Sequence, residues 1–341
     1  MNWIRLFFIM MMISVTVSAQ VAHPQSLLEI AFNQAWFKNS YGHQYLDSSY
    51  DSVEVERMFK LTHEAGSREL RLWFFESTQF SLKNNYVKNV LKTLKIAREN
   101  QVRVYMTIFD AQAYQPEVMG QVNRIRFERL FTEAGSREFL KDVILPLLNE
   151  IQKEGLTEQI SKIDIVNEGD VLIDRSAIKD GWGGLKRMLC QWKAAVSTIP
   201  QFSKTPVTVS LRLDPYASFP PDLFEDQGTM ACADYYDFHS YQTAGIIEQC
   251  DRLSVYSKRH KKTLVLGEFG QGYDAPQFDD ELQLKNVKAY AENANACGFS
   301  QAFAWRLSDV RDAHNPDARF SFEAFGKLRP AYFFIREFNQ P

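Results

Sequence analysis

The sequence predicts an α/β chain folding as a (β/α)8 TIM barrel in a single domain, and three observations carry that prediction. Eight short runs rich in β-branched and aromatic residues recur along the chain, each followed by a segment with helical apolar spacing. Several runs end on a carboxylate, amide or aromatic residue, at the end of the strand where a parallel barrel gathers its site. No low-complexity linker, short repeat or second composition divides the chain.

The N-terminus is read separately. Arg5 supplies a positive charge, Leu6 to Val17 is an apolar run too short to span a bilayer, and Val17-Ser18-Ala19 offers small residues before Gln20. Residues 1–19 read as a secretory signal peptide, with an uncleaved anchor as the alternative. No cysteine follows the run, which disfavours a lipoprotein. About 320 residues, 20–341, remain for the barrel, a length that one core absorbs.

The elements follow in order. Leu27 to Asn33 is strand one. Gln34 to Tyr50 is long for a strand-to-helix loop and carries Trp36, Tyr41, His43, Tyr45 and Tyr50, which marks it as functional. Asp51 or Ser52 caps a helix through Glu64 with Val53, Val55, Met58, Phe59 and Leu61 as its stripe, and Ala65-Gly66 stops it. Glu69 to Phe75 is strand two, where a mid-strand Arg71 is costly unless paired. A helix over 85–100 leads to strand three, 102–109, which ends at Asp110.

Ser136 to Glu154 is helical and interrupted by Pro146. Ile163, Ile165 and Val166 form strand four and deliver Asn167-Glu168-Gly169. A helix over 184–198 precedes strand five, 207–214, and Tyr236 to Tyr241 is strand six with its helix over 246–260. Thr263 to Gly267 is strand seven and delivers Glu268. The helix 280–296, strand eight over 301–305 and a last helix 329–338 with Pro330 in its first turn complete the set.

Composition excludes several classes. With 39 basic and 42 acidic residues, a net charge of −3 points to neither nucleic acid nor an anionic membrane. The six histidines form no HxH or HxxxH pair, so neither a metal nor a cofactor is expected. No Gly-rich phosphate loop follows a strand. Aromatic residues make up 13% of the chain and cluster beside strand ends, as sugar-binding clefts require. Cys190, Cys232, Cys250 and Cys297 allow three pairings if all join, or remain buried thiols.

Two glutamates, Glu168 and Glu268, each close an apolar strand about a hundred residues apart. Facing one another across a barrel mouth, they suit glycosidic bond cleavage. Around them fall, in order, Asn33 after strand one, Arg71 in strand two, Asn167 beside Glu168, His239 and Tyr241 on strand six, and Trp305 on strand eight. This ordered set resembles the retaining glycoside hydrolases of clan A, most of all the family-five cellulase and mannanase group. The ending Lys327-Leu328-Arg329-Pro330-Ala331-Tyr332 resembles that clan's ending before its last helix.

The resemblance implies Glu168 as general acid/base and Glu268 as nucleophile. It also implies Arg71 and Tyr241 hydrogen-bonded to Glu268, Asn167 on the sugar 2-hydroxyl, and His239 orienting Tyr241 or touching substrate. Trp305 would floor the subsite of the cleaved sugar, its indole facing Glu268 and a cis peptide joining it to Arg306. Asn33, Trp36 and Asp110 complete the expected substrate-binding set, and the expected partner is a β-linked carbohydrate met by a monomer. Two positions depart from the group's pattern. Phe109-Asp110 stands where many relatives have a histidine, and Gly169 follows Glu168 where many have proline. The rival reading is a non-catalytic carbohydrate-binding barrel of the same fold.

Overall fold

Along Glu69–Trp73 every residue is buried, yet Glu69, Arg71 and Trp73 alternate with Leu70 and Leu72. A parallel strand has two buried faces, so this alternation separates a leucine face for the helices from a polar and aromatic face for the barrel axis. The computed structural model describes residues 28–37, 40–75, 82–110, 128–175, 180–213, 219–220, 222–270, 279–309, 320–324 and 326–340. The expected signal segment and Asp214 lie outside the described residues.

Eight strands repeat the pattern: β1 (Glu29–Gln34), β2 (Glu69–Trp73), β3 (Arg103–Asp110), β4 (Ile160–Asn167), β5 (Val207–Thr208 and Ser210–Arg212), β6 (Tyr236–Ser240), β7 (Leu264–Phe269) and β8 (Phe299–Ala304). All neighbours pair in parallel, and β1 pairs with both β2 and β8. The first half of β5 pairs with β4 and the second with β6, only Val209 lying between them. The sheet therefore closes on itself as a (β/α)8 barrel.

The axis is filled in layers. At the N-terminal ends Lys162 donates to Glu69 and Gln301. Above lies an apolar plug of Ala31, Tyr105, Tyr235, Val265 and Phe303, separate from the large core between sheet and helices. Higher still the residues are Asn33, Arg71, Asp164, Ser210 and Asp237, all 0% exposed.

The helices follow local signals. Asp51 caps Ser52–Glu64 by accepting from the Val53 and Glu54 amides at 3.0 and 3.4 Å, and Asp279 caps Asp280–Ala296 at the Leu282 amide, 2.9 Å away. The helix expected over 136–154 is instead Glu133–Phe139, a π turn Leu140–Ile144, and Leu145–Lys153. Pro146 lacks an N–H, so the ladder is re-spaced upstream of it and the proline sits at the head of the last segment. Tyr45, one of the loop aromatics, belongs to the helix Gly42–Asp47: it is 1% exposed, stacks on Phe37 at 4.0 Å and donates to the Asp51 carbonyl, so it is core.

All four cysteines are paired, Cys190 with Cys232 and Cys250 with Cys297. Each bridge ties a barrel helix to the segment beside a neighbouring element, across separations of 42 and 47 residues. Replacing Cys190 and Cys232 together by serine is expected to cost about 2–4 kcal/mol. A denaturant melt with an unchanged midpoint would show the bridge adds no stability. Among the described residues no helix is long and apolar enough to cross a membrane.

Candidate active site

Register alone brings the polar strand ends together. Asn33 lies opposite Arg71, Asp110 opposite Asn167, and His239 opposite Glu268. On β7 the pairing shifts between Leu266 and Glu268, a bulge that turns both Gly267 and Glu268 towards the axis. Gly267 has to lack a side chain there, since a Cβ would come within 2.0 Å of Asp237 Oδ1.

Arg71 is the hub. Fully buried, it donates from Nη1 to Glu268 Oε1 at 2.8 Å and to Asn33 Oδ1 at 3.2 Å. From Nη2 it donates to Asp164 Oδ2 at 2.7 Å and Asn167 Oδ1 at 2.8 Å. Its plane lies 4.5 Å over the Trp73 ring. The mid-strand cation flagged by sequence is thus paired with two buried acids, which is what burial demands. Asn167 in turn donates to Asp110 Oδ1 at 3.2 Å, so both ends of its amide are oriented.

Glu268 receives a second donor, the Tyr241 hydroxyl, at 2.9 Å from Oε2. Burial pushes its carboxyl above the usual range; Arg71 pulls it down, Glu168 pushes it up and the Tyr241 hydrogen bond lowers it again. His239 stands between the two glutamates, Nδ1 lying 3.2 Å from Glu168 Oε1 and 3.5 Å from Glu268 Oε1. Burial, seconded by Arg71, holds its imidazole well below its ordinary pKa, so the ring is neutral. Its Nδ1 thus lies beside both carboxylates.

One atom each of Glu168, His239 and Glu268 lies within 4.8 Å of the others. That spacing would suit a cation, but Arg71 already places a positive charge on Glu268, and no metal is assigned. Glu168 itself leaves β4 in the left-handed region with φ 53°, uncommon for a side chain of its size. Ser210 Oγ accepts from its backbone N–H at 3.0 Å and donates to Asp164 at 2.8 Å.

Of the expected residues, Asn33, Arg71, Asp110, Asn167, Glu168, His239, Tyr241 and Glu268 join this one network. Trp305 is half-buried and its indole meets Trp73 edge-on at 5.5 Å; the Trp305–Arg306 peptide is cis, as expected. Trp73 is only 2% exposed and so is packing beneath the site, not an open sugar platform. Trp36 pairs through its backbone with Tyr41 in a short hairpin, and its side chain lies outside the described residues.

With that geometry in place the chain can be set beside known proteins. No protein-family model matches the sequence, and no curated protein matches it. Solved structures do. The endo-β-1,4-mannanase of Thermotoga petrophila superposes with a TM-score of 0.62 at 15% identity, covering 93% of this chain and 77% of that one. The β-mannanase of the blue mussel Mytilus edulis gives 0.58 at 17% identity, covering 86% and 90%. A variant GH5_18 protein from Bifidobacterium longum, in complex with Manβ1-4GlcNAc, gives 0.65 at 16% identity, covering 92% and 78%. The fold is the barrel of these proteins.

Sequence reasoning did not single out Asp164, Ser210, Asp237 or Tyr105. Ser210 and Asp164 carry Arg71 and the Glu168 turn, while Tyr105 donates to Asp237 below them. The signal was available as period-two alternation: Lys162 and Asp164 interleave with Ile163 and Ile165, and Asp237 and His239 flank Phe238.

Proposed function

We propose that the chain is an exported, retaining glycoside hydrolase that cleaves β-linked mannosides. The observation that carries the reading is the carboxylate pair: oxygens of Glu168 and Glu268 within 4.8 Å, with Arg71 and Tyr241 both donating to Glu268. Retaining enzymes hold their carboxyl groups about 5–5.5 Å apart, whereas inverting enzymes need roughly 6.5–9.5 Å to admit a water.

The chemistry follows from that asymmetry. Two buried carboxyls this close share a proton, and the pair keeps it to higher pH than isolated acids would. Arg71 and Tyr241 stabilise the charge on Glu268, so the proton rests on Glu168. Glu268 attacks the anomeric carbon while Glu168 protonates the leaving oxygen. Glu168, now ionised, takes a proton from the water that releases the glycosyl group. Asn167, its amide set by Arg71 and Asp110, is placed to bind the sugar 2-hydroxyl, a contact that tightens in the oxocarbenium-like transition state.

β-Mannose as the substrate is supported by the mannanase activity of the Thermotoga petrophila and Mytilus edulis barrels. Export is supported by the N-terminal apolar run and by two disulfides, which persist in oxidising compartments. Residues 1–19 would be the signal peptide and 20–341 one catalytic domain, acting as a monomer.

Turnover of 4-nitrophenyl β-mannoside, β-glucoside, β-xyloside and β-galactoside by the wild type and Glu168→Gln tests the reading. Hydrolysis of the mannoside, with retained anomeric configuration in the first-formed product, is expected. Binding of mannosides without turnover would make the chain a carbohydrate-binding barrel, and action on α-linked sugars alone would refute the assignment. Tyr241→Phe removes a donor that holds Glu268 ionised. The acidic limb of its kcat/KM profile is expected to move to higher pH, with about 10²-fold lower turnover at the optimum. A limb that stays in place would take Tyr241 out of the nucleophile's support.

A further inference from the structure

The turn after β4 carries a second acid that the mechanism above does not use. Asp170, 1% exposed, points back to β5 and accepts from Arg212 twice, from the backbone N–H at 2.9 Å and from Nε at 2.8 Å. Two residues earlier on both segments, Ser210 Oγ accepts from the Glu168 N–H at 3.0 Å. Alternate residues of one strand, Ser210 and Arg212, therefore hold alternate residues of the turn, Glu168 and Asp170. Between them Gly169 lets the helix Gly181–Ser197 approach, since a Cβ there would meet Leu185 at 3.0 Å. The left-handed backbone of Glu168 is clamped on both sides.

Resting on the glycosidase reading, we infer that Asp170, anchored by Arg212, is the positioning residue of the acid/base: it fixes the Glu168 turn and its negative charge keeps the proton on Glu168. Among the described residues the charged groups facing Asp170 are Arg212 on β5 and Glu168 on its own turn, with neutral His239 of β6 on the far side of Glu168. Burial pushes the Asp170 carboxyl up to about 7, Arg212 pulls it down and Glu168 pushes it up. That last repulsion is mutual, so ionised Asp170 disfavours ionised Glu168.

Substrates separate this role from a structural one. An oligomannoside leaving group needs a proton from Glu168, whereas a dinitrophenolate departs without one. Asp170→Asn keeps an acceptor for Arg212 and removes the charge. Its alkaline limb of kcat/KM on mannotriose is expected to move about one pH unit lower, with roughly tenfold slower turnover above the optimum. The kcat/KM for 2,4-dinitrophenyl β-mannoside, which reports only the step in which the leaving group departs, should stay within about threefold of wild type. Asp170→Ser, smaller and also neutral, is expected to show the same split should the asparagine variant fail to fold. Equal losses on both substrates with an unmoved limb in whichever variant folds would overturn the inference, leaving Asp170 a structural residue. Failure of the glycosidase reading looks different: wild type without β-mannosidase activity, or Glu168→Gln with undiminished turnover of mannotriose.

Discussion

Glu268→Ala is expected to lower turnover of 4-nitrophenyl β-mannoside by about 10⁴-fold or more, equivalent to roughly 5 kcal/mol of lost transition-state stabilisation. The fold should not suffer with it. Burial and Glu168 both disfavour ionised Glu268, so the native state carries this charge at a cost that Arg71 and Tyr241 only partly offset. Removing the carboxylate leaves Arg71 paired with Asp164 at 2.7 Å, and the melting temperature is expected to remain level or rise. Azide, small enough to occupy the vacated volume, should restore part of the turnover by attacking the anomeric carbon from the same face. Activity undiminished in this variant would remove Glu268 as nucleophile, and a melting loss comparable with a deleted core residue would make it a structural acid.

Arg71→Met is expected to be the most damaging single substitution in both stability and activity. The side chain is 0% exposed and donates to acids or amides from three strands, at Asn33, Asp164, Asn167 and Glu268. Methionine fills much of the volume but leaves those acids without their cation. Breaking a buried ion pair from one side costs about 3–5 kcal/mol, which for a domain of this length reads as roughly 4–7 °C of melting temperature. The pH dependence has a defined sign. Without the guanidinium, Glu268 and Asp237 lose the group that pulls their carboxyls down, so their folded-state proton affinity rises further above the unfolded value. Groups that take up protons on folding destabilise the native state as pH rises, so the deficit should shrink towards acid pH and grow towards alkaline pH. Arg71→Lys should recover part of the stability but little activity, because a point charge cannot hold Glu268 and Asn167 at once. A pH-independent deficit in Arg71→Met would show that packing over Trp73 and Tyr105, not charge, is the guanidinium's main contribution.

Much of this was legible in the residues. The eight apolar runs, the cap at Asp51, the stop at Ala65-Gly66 and the helix Asp280–Ala296 are local features, set by chemistry within a few positions of each residue. The two glutamates could be named because a strand end is itself a local signal. A buried Arg71 announced a partner without saying which.

Only the closed barrel decided the rest. Closure sets β1 against β8 and splits β5 at Val209, and that register places Arg71 within reach of acids 93 and 197 residues away. The cysteine pairing, the bulge that aims Glu268 inward, and the placing of Tyr45 in the core depend on which elements meet. The sequence determines what each strand can place on its inner face. Which charges then share the low-dielectric axis, and so which carboxyl keeps the proton, depends on distances between residues remote in the chain. Those distances exist only once the sheet has closed.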